Sequence, residues 1–332
     1  MTTVSDLTET ELIERIRQQL PPPPDWLVVG IGDDAAVVAP ARNRLEVLTV
    51  DAIIEGVHFD RRFTPPAAIG HRALAVNLSD LAAMGAEPRL ALLSFALPAD
   101  LAAADFDLLI AGLAALALRH KIHVVGGNLT RSPGPMMIDV TVSGVVKPRK
   151  ALTRGGARSG DYLYLTGSIG AAAAGLQMLQ TSAPDAARSK TCVARYLFPE
   201  PRIRAGLLLG RNRAAAACID LSDGLADAVR RLAEASGVGA IVDADAVPIE
   251  PDAATWFTDQ GTEPLEAAMA GGDDYELLFA VRPRLRGRLI AALRHGQVPV
   301  TRIGLFTEDR AVVVRRASGI QTAMAGGYTH FR

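Results

Sequence analysis

The chain has only two cysteines in 332 residues, Cys192 and Cys218, which stand far apart in apolar contexts. A disulfide framework and a thiolate zinc site are therefore not expected; buried thiols in a reducing compartment, the cytoplasm, are. Neither sign of charge is in excess, since 35 basic and 36 acidic residues leave a net charge of −1. Aromatics make up 5% of the chain and interleave with no basic face, so nucleic acid is not expected as a partner, and no global field draws the chain to an anionic membrane. No apolar run is long enough to span a bilayer, and Asp6, Glu9 and Glu11 stand where a signal peptide needs basic and then apolar residues. The P-loop pattern and the protein-kinase signatures are also missing, so any phosphoryl transfer must run on another scaffold.

What is present is ample apolar material, 49% of the residues, in a length that suits roughly two domains. Thr8 and Glu11 form a capping-box pattern that predicts a helix over 9–20, stopped by Pro21 to Pro24. Strands are expected at 26–31, 45–50, 90–95, 122–125 and 137–145, with helices at 71–84 and 101–120. Five basic residues and the pair Gly155 and Gly156 between Lys147 and Arg158 mark a composition shift, and the domains are placed at 1–148 and 149–332. In the second, strands are expected at 162–166, 216–220, 240–242, 276–281 and 311–315. Helices are expected at 169–179, at 201–211 starting on Pro201, and at 224–235 capped by Asp223 and closed by Gly237.

The most informative pattern is acidic. Asp33, Asp34, Asp51, Asp80, Asp220, Asp223, Asp273 and Asp274 sit beside glycines or at expected strand ends. Carboxylates gathered on short loops raise each other's pKa unless cations neutralise them, and hard oxygen ligands select magnesium or calcium. Gly30-Ile31-Gly32-Asp33-Asp34-Ala35-Ala36 imitates a dinucleotide fingerprint, but Pro40 leaves no room for a crossover helix. Two readings stay open there: a turn joining two strands, or a loop holding cations that meet phosphates. Asp51 is read at the exit of its strand, either facing a cleft beyond the sheet edge or as a turn former. Asn77 and Asp80, at i and i+3 of a helix, share one face, either as buried hydrogen-bonding groups or as a cation site. Ser222 or Asp223 is either a helix cap or part of a metal-phosphate site, and Gly271-Gly272-Asp273-Asp274 is either a hairpin turn or a second acidic loop. His58 is read as structural, and Arg154 as either a solvated linker residue or a phosphate contact.

Taken together, these strings resemble the thiamine-monophosphate kinases, a family of the superfamily that includes aminoimidazole ribonucleotide synthetase and selenophosphate synthetase. The carriers are Gly30 to Ala36, Thr49-Val50-Asp51, Gly56-Val57-His58-Phe59, Ala75 to Gly85, Gly126-Gly127, Leu152-Thr153-Arg154, Asp220 to Leu225, Gly271 to Leu277 and Gly327-Tyr328-Thr329-His330-Phe331. The resemblance implies an α+β chain of two mixed α/β domains. The first would bind ATP and magnesium and form a homodimer through a shared β-barrel-like sheet; the second would complete the nucleotide and substrate site. It implies ATP-dependent phosphorylation of thiamine monophosphate to thiamine diphosphate. On the matching positions, magnesium falls to Asp33, Asp34, Thr49, Asp51, Asp80, Asp220 and Asp223, with Asp51, Asp220 and Asp223 catalytic. Nucleotide contacts fall to Gly127, Arg154 and Ser222, and substrate contacts to His58, Asp273 and Tyr328.

The chain departs from the family pattern at four positions. Asn128 and Thr329 stand where aspartate is usual, Leu129 where threonine is common, and Asp273 where glutamate is usual. The amide of Asn128 still offers an oxygen to a cation but brings no charge, so weaker binding of one ion is expected. A related ligase or cyclase, or a nucleotide-binding module without turnover, are the alternatives. His58-Phe59 and Tyr328 to Phe331 favour the kinase, and the reactive cysteine that selenophosphate synthesis or a hydrogenase-maturation carrier would need is absent.

Overall fold

The computed structural model describes residues 2–181, 189–293 and 299–324. The chain divides into two units, Met1–Leu81 with Glu87–Pro148, and Ala82–Ala86 with Arg149–Arg332. Both mix helices and strands.

In the first unit the capping box forms as its residues require. The Glu11 carboxylate accepts from the Thr8 N–H at 2.7 Å and the Thr8 hydroxyl accepts from the Glu11 N–H at 3.3 Å, starting α1 (Glu9–Gln19). Strands β1 (Leu27–Val29) and β2 (Val37–Val38) then pair antiparallel, so the glycine-aspartate stretch is the connection of a short hairpin with no crossover helix. Next come β3 (Leu45–Ile54), α2 (Pro66–Ala83), β4 (Glu87–Pro98), α3 (Ala103–His120), β5 (His123–Ser132) and β6 (Met137–Val146). They build a four-stranded sheet in the order β3-β6-β4-β5, with β4 and β5 parallel and joined through α3.

Helices α2 and α3 approach to backbone contact. A Cβ on Gly70 would lie 1.8 Å from the Leu109 carbonyl oxygen, and one on Gly112 would lie 1.9 Å from that of Ala67. Leu74, Leu78 and Leu81 of α2 and Phe106, Leu109 and Leu113 of α3 are buried, as are Phe95, Ile138 and Val140 of the sheet. Phe95 meets Phe106 edge-on at 6.2 Å between ring centroids. The neighbouring cross-strand rows carry Leu48 (70% exposed), Val50 (55%), Leu92 (39%) and Met137 (36%) on the outward face.

The second unit runs β7 (Tyr162–Thr166), α4 (Ala171–Gln180), α5 (Lys190–Leu197), α6 (Ile203–Asn212), β8 (Ala217–Asp220), α7 (Leu225–Ser236), β9 (Gly239–Asp243), α8 (Pro251–Asp259), α9 (Pro264–Ala270), β10 (Leu277–Val281), α10 (Arg286–Leu293), β11 (Val300–Thr307), β12 (Val312–Arg315) and β13 (Gln321–Ala323). Its seven-stranded sheet has the order β13-β12-β9-β11-β7-β10-β8, antiparallel except for β9 with β12. Leu163, Leu165, Ile219, Val229, Leu232, Leu278 and Phe306 are fully or nearly fully buried in its core.

Two expected helix starts are corrected. Helix α6 begins at Ile203 rather than Pro201, because Arg202 holds a non-helical backbone (φ −82°, ψ 42°). Helix α7 is capped by Gly224 at φ 96°, a conformation that favours glycine, so Asp223 is not its cap. Gly237 closes α7 in the left-handed region as expected.

Candidate active site

In the first unit, Thr49 and Asp51 project from one face of β3, two residues apart. The Thr49 hydroxyl donates to Asp80 Oδ2 of α2 at 2.5 Å, which fixes one carboxylate of the acidic set against the sheet. Asp51 does not end its strand: β3 continues through Ala52, Ile53 and Ile54, and Asp51 remains solvated because β3 is an edge strand. The helix face shared by Asn77 and Asp80 separates by depth. Asn77 is fully buried, its amide nitrogen donating to the Ala73 carbonyl at 3.1 Å while its Oδ1 has no partner, so the two are not a joint site.

Asp33 and Asp34 are exposed on the β1–β2 connection, where the Asp34 N–H donates to Asp33 Oδ1 at 2.9 Å, a turn contact. Gly127 falls in the cross-strand row of Asp51, Val140 and Leu93, and a Cβ there would lie 2.0 Å from the Leu93 carbonyl oxygen. Asn128 lies in the next row, on the other face of β5, at the sheet edge opposite β3. One copy of the sheet therefore does not bring Asn128 to Thr49, Asp51 and Asp80. His58 accepts the Ile54 N–H on Nδ1 at 3.1 Å, bracing the turn after β3.

In the second unit two motifs meet. The loop after β8 holds Asp220, Ser222 and Asp223, and the loop before β10 holds Gly271 to Glu276. The Asp273 N–H donates to the Ser222 carbonyl at 2.8 Å and the Tyr275 N–H to that of Leu221 at 2.9 Å. The approach explains the glycines: a Cβ on Gly272 would lie 2.5 Å from the Ser222 carbonyl oxygen, and one on Gly224 would lie 2.7 Å from that of Gly271. Arg154, Asp220, Ser222, Asp223 and Asp227 line one small concavity beside the start of α7. Asp220 is buried and Ser222 exposed, and Arg231 reaches Asp223 at 3.3 Å. Burial, then the Asp220 charge, pushes the Cys218 thiol up, which with the buried Cys192 makes both cysteines inert packing residues.

The Gly271–Glu276 stretch is not a hairpin turn. It joins α9 to β10, with Asp273 (φ 69°) and Tyr275 (φ 50°) both in the left-handed region, and the Tyr275 hydroxyl donates to Asp273 Oδ1 at 2.9 Å. Asp274 leaves the cation set. It is buried and accepts the Gly170 N–H at 2.8 Å and the Ala172 N–H at 3.4 Å, serving the start of α4. Burial pushes its carboxyl up to about 7, against the pull of the Gly170 hydrogen bond and the Arg195 charge. Glu276, wholly buried, accepts from Thr166 at 2.6 Å, from Arg195 at 2.6 Å and from both Nε (2.7 Å) and Nη2 of Arg202. Burial alone would lower the Arg202 guanidinium; the Glu276 hydrogen bonds and charge hold it above its ordinary value. Arg195 and Arg202 went unnoticed in the sequence, where nothing local links them to Glu276. Tyr328, with the rest of the 327–331 motif, lies outside the described residues.

Among the described residues no group of three or more histidine, cysteine, aspartate or glutamate side chains is arranged to hold a metal ion. The donors are nonetheless of one chemical kind, carboxylates and hydroxyls, the hard oxygens that magnesium takes.

Two family models match the chain: AIR synthase related protein, N-terminal domain, over residues 32–146, and its C-terminal domain over 158–316. A thiamine-monophosphate kinase of Escherichia coli (strain K12) is 38% identical over 306 residues, covering 91% of this chain and 92% of that protein. The crystal structure of a thiamine-monophosphate kinase from Stenotrophomonas maltophilia K279a is similar at TM-score 0.82 and 37% identity, covering 93% of this chain and 96% of that one. The structure named AaThiL, complexed with AMPPCP and TMP, is similar at TM-score 0.77 and 30% identity, covering 98% of each.

Proposed function

We infer that this chain, which belongs to the AIR synthase related family and within it to the thiamine-monophosphate kinases, transfers the γ-phosphate of ATP to thiamine monophosphate, giving thiamine diphosphate and ADP. The observation that carries the reading is the meeting of the two glycine-hinged loops, which gather Asp220, Ser222 and Asp223, with Asp273 hydrogen-bonded alongside and Arg154 in the same concavity.

Transfer is direct and in line. A phosphate oxygen of thiamine monophosphate, already anionic near neutral pH, forms the new bond to the γ-phosphorus. The bond from that phosphorus to the β,γ-bridging oxygen breaks, and ADP leaves with its electron pair. No protein nucleophile is needed. Bound magnesium would screen the repulsion between the two anions and the charge on the transferred group. Asp33, Asp34, Thr49, Asp51, Asp80, Asp220 and Asp223 would hold it. Gly127, Arg154 and Ser222 orient the nucleotide, Arg154 through its planar fork. His58, Asp273 and Tyr328 position the substrate.

The chain works as a homodimer. The outward apolar residues Leu48, Val50, Leu92 and Met137 form a sheet face that a second copy would cover, closing the free edges of β3 and β5 into a barrel-like sheet. Asn128, on β5, would then lie along the partner's β3. The buried free cysteines fit a cytoplasmic setting.

The test is a coupled ADP-release assay with thiamine monophosphate, thiamine and an aminoimidazole precursor as alternative acceptors. Release confined to thiamine monophosphate supports the reading, and equal release with another acceptor overturns it.

A further inference from the structure

Away from the acidic loops, the second unit carries a cavity of about 590 Å³ lined by Arg213, Ala215, Ala216, Arg282, Arg284, Leu285 and Arg288. No carboxylate lines it. Among the described residues the side chains of these four arginines make no ion pair or hydrogen bond, and the Nε of Arg282 is shielded from solvent without a partner. Arg284, in the short 3-10 turn Pro283–Leu285, and Arg288, in the first turn of α10, stand four residues apart with like charge, and Arg213 holds a left-handed backbone at φ 51° at the end of α6. Four arginines lining one hollow in a chain of net charge −1 is an arrangement that an anion would relieve.

We propose that this cavity is a second anion site, distinct from the acidic loops, that binds the phosphoryl groups of a small phosphorylated metabolite. Guanidinium forks match phosphate oxygens in pairs, and four of them suit a di- or triphosphate better than a single carboxylate. The hollow is concave and of small-molecule size, which sets a metabolite ahead of a nucleic acid. Diphosphate-bearing nucleotides and thiamine diphosphate share this chemistry. The inference does not rest on the kinase reading.

The experiment uses the full chain with magnesium AMPPCP and thiamine monophosphate at saturation, so that any site at the acidic loops is filled. Calorimetric titration at fixed ionic strength then adds sodium phosphate, sodium diphosphate, ADP or thiamine diphosphate. Arg284 and Arg288 are exposed, so the double variant Arg284→Ser/Arg288→Ser should fold. The expected result is saturable binding of diphosphate at one per chain. It should weaken on the order of thirtyfold or more in the double variant, at the usual strength of charge-assisted hydrogen bonds, with turnover unchanged. The tightest of the four ligands identifies the metabolite. Absence of saturable binding to the filled wild-type chain, equal binding by the variant, or loss of turnover in the variant each overturns the proposal; the first two leave the kinase reading intact.

Discussion

Glu276→Gln should destabilise the second unit severely. Glu276 is wholly buried and joins Thr166, Arg195 and Arg202, while the two arginine side chains keep 22% and 16% of their exposure. Removing one partner of a buried ion pair costs about 3 to 5 kcal/mol, because the remaining charge loses its compensation. The residual solvation of the arginines moves the expectation to the lower end, about 3 kcal/mol. Each unit contains one tryptophan, Trp26 and Trp256, so a Trp26→Phe background leaves Trp256 as the sole fluorescent reporter of the second unit. With an m-value of about 2 kcal/mol per molar urea, the midpoint should fall by about 1.5 M. Glu234→Gln, on the exposed face of α7, serves as control and should stay within about 0.5 kcal/mol. A Glu276→Gln midpoint within about 0.3 M of the control would refute the view that this carboxylate is a structural keystone.

Three further expectations follow from the same geometry. Asp51→Asn and Asp220→Asn should each lower the turnover rate at least a hundredfold, about 2.7 kcal/mol of barrier, and the exposed Asp51 should do so without a change in melting temperature, as steady-state kinetics and calorimetry together would establish. Asp274 has a folded-state pKa raised to about 7 from an ordinary 3.8, so the folded chain holds the extra proton. Its contribution to stability is complete below pH 4 and is lost as pH rises through 7, at up to about 1.4 kcal/mol per pH unit, and Asp274→Asn should flatten that slope in urea unfolding measured between pH 5 and 8. Asn128→Asp should lower the magnesium concentration needed for half-maximal rate, and an unchanged magnesium dependence would remove Asn128 from the cation site.

Local signals were legible where local physics decides. The Thr8–Glu11 box fixed the start of α1, the run Tyr162–Thr166 is the strand expected, and Gly237 closes α7. The acidic pattern also led to loops that touch. Long-range partners were not legible: Asp274 meets Gly170 and Glu276 meets Arg202 across 104 and 74 residues, and only the fold turns an apparent cation ligand into a buried helix cap. Asp51 resembles a strand exit in sequence, whereas it stands in mid-run because an edge strand tolerates a solvated carboxylate. Asn77 and Asp80 were grouped by helical spacing, which says nothing of depth. The arginine hollow is not legible in the sequence because its members come from the end of α6 and from the segment that leads out of β10 into α10, some seventy residues apart.

The most direct measurement is single-turnover formation of thiamine diphosphate from ATP and thiamine monophosphate as magnesium is titrated and then withdrawn with excess chelator. If hard oxygen donors grip a metal nucleotide, product should appear one-for-one with ADP, rise with magnesium, and cease in chelator. Undiminished product formation in chelator would contradict the account.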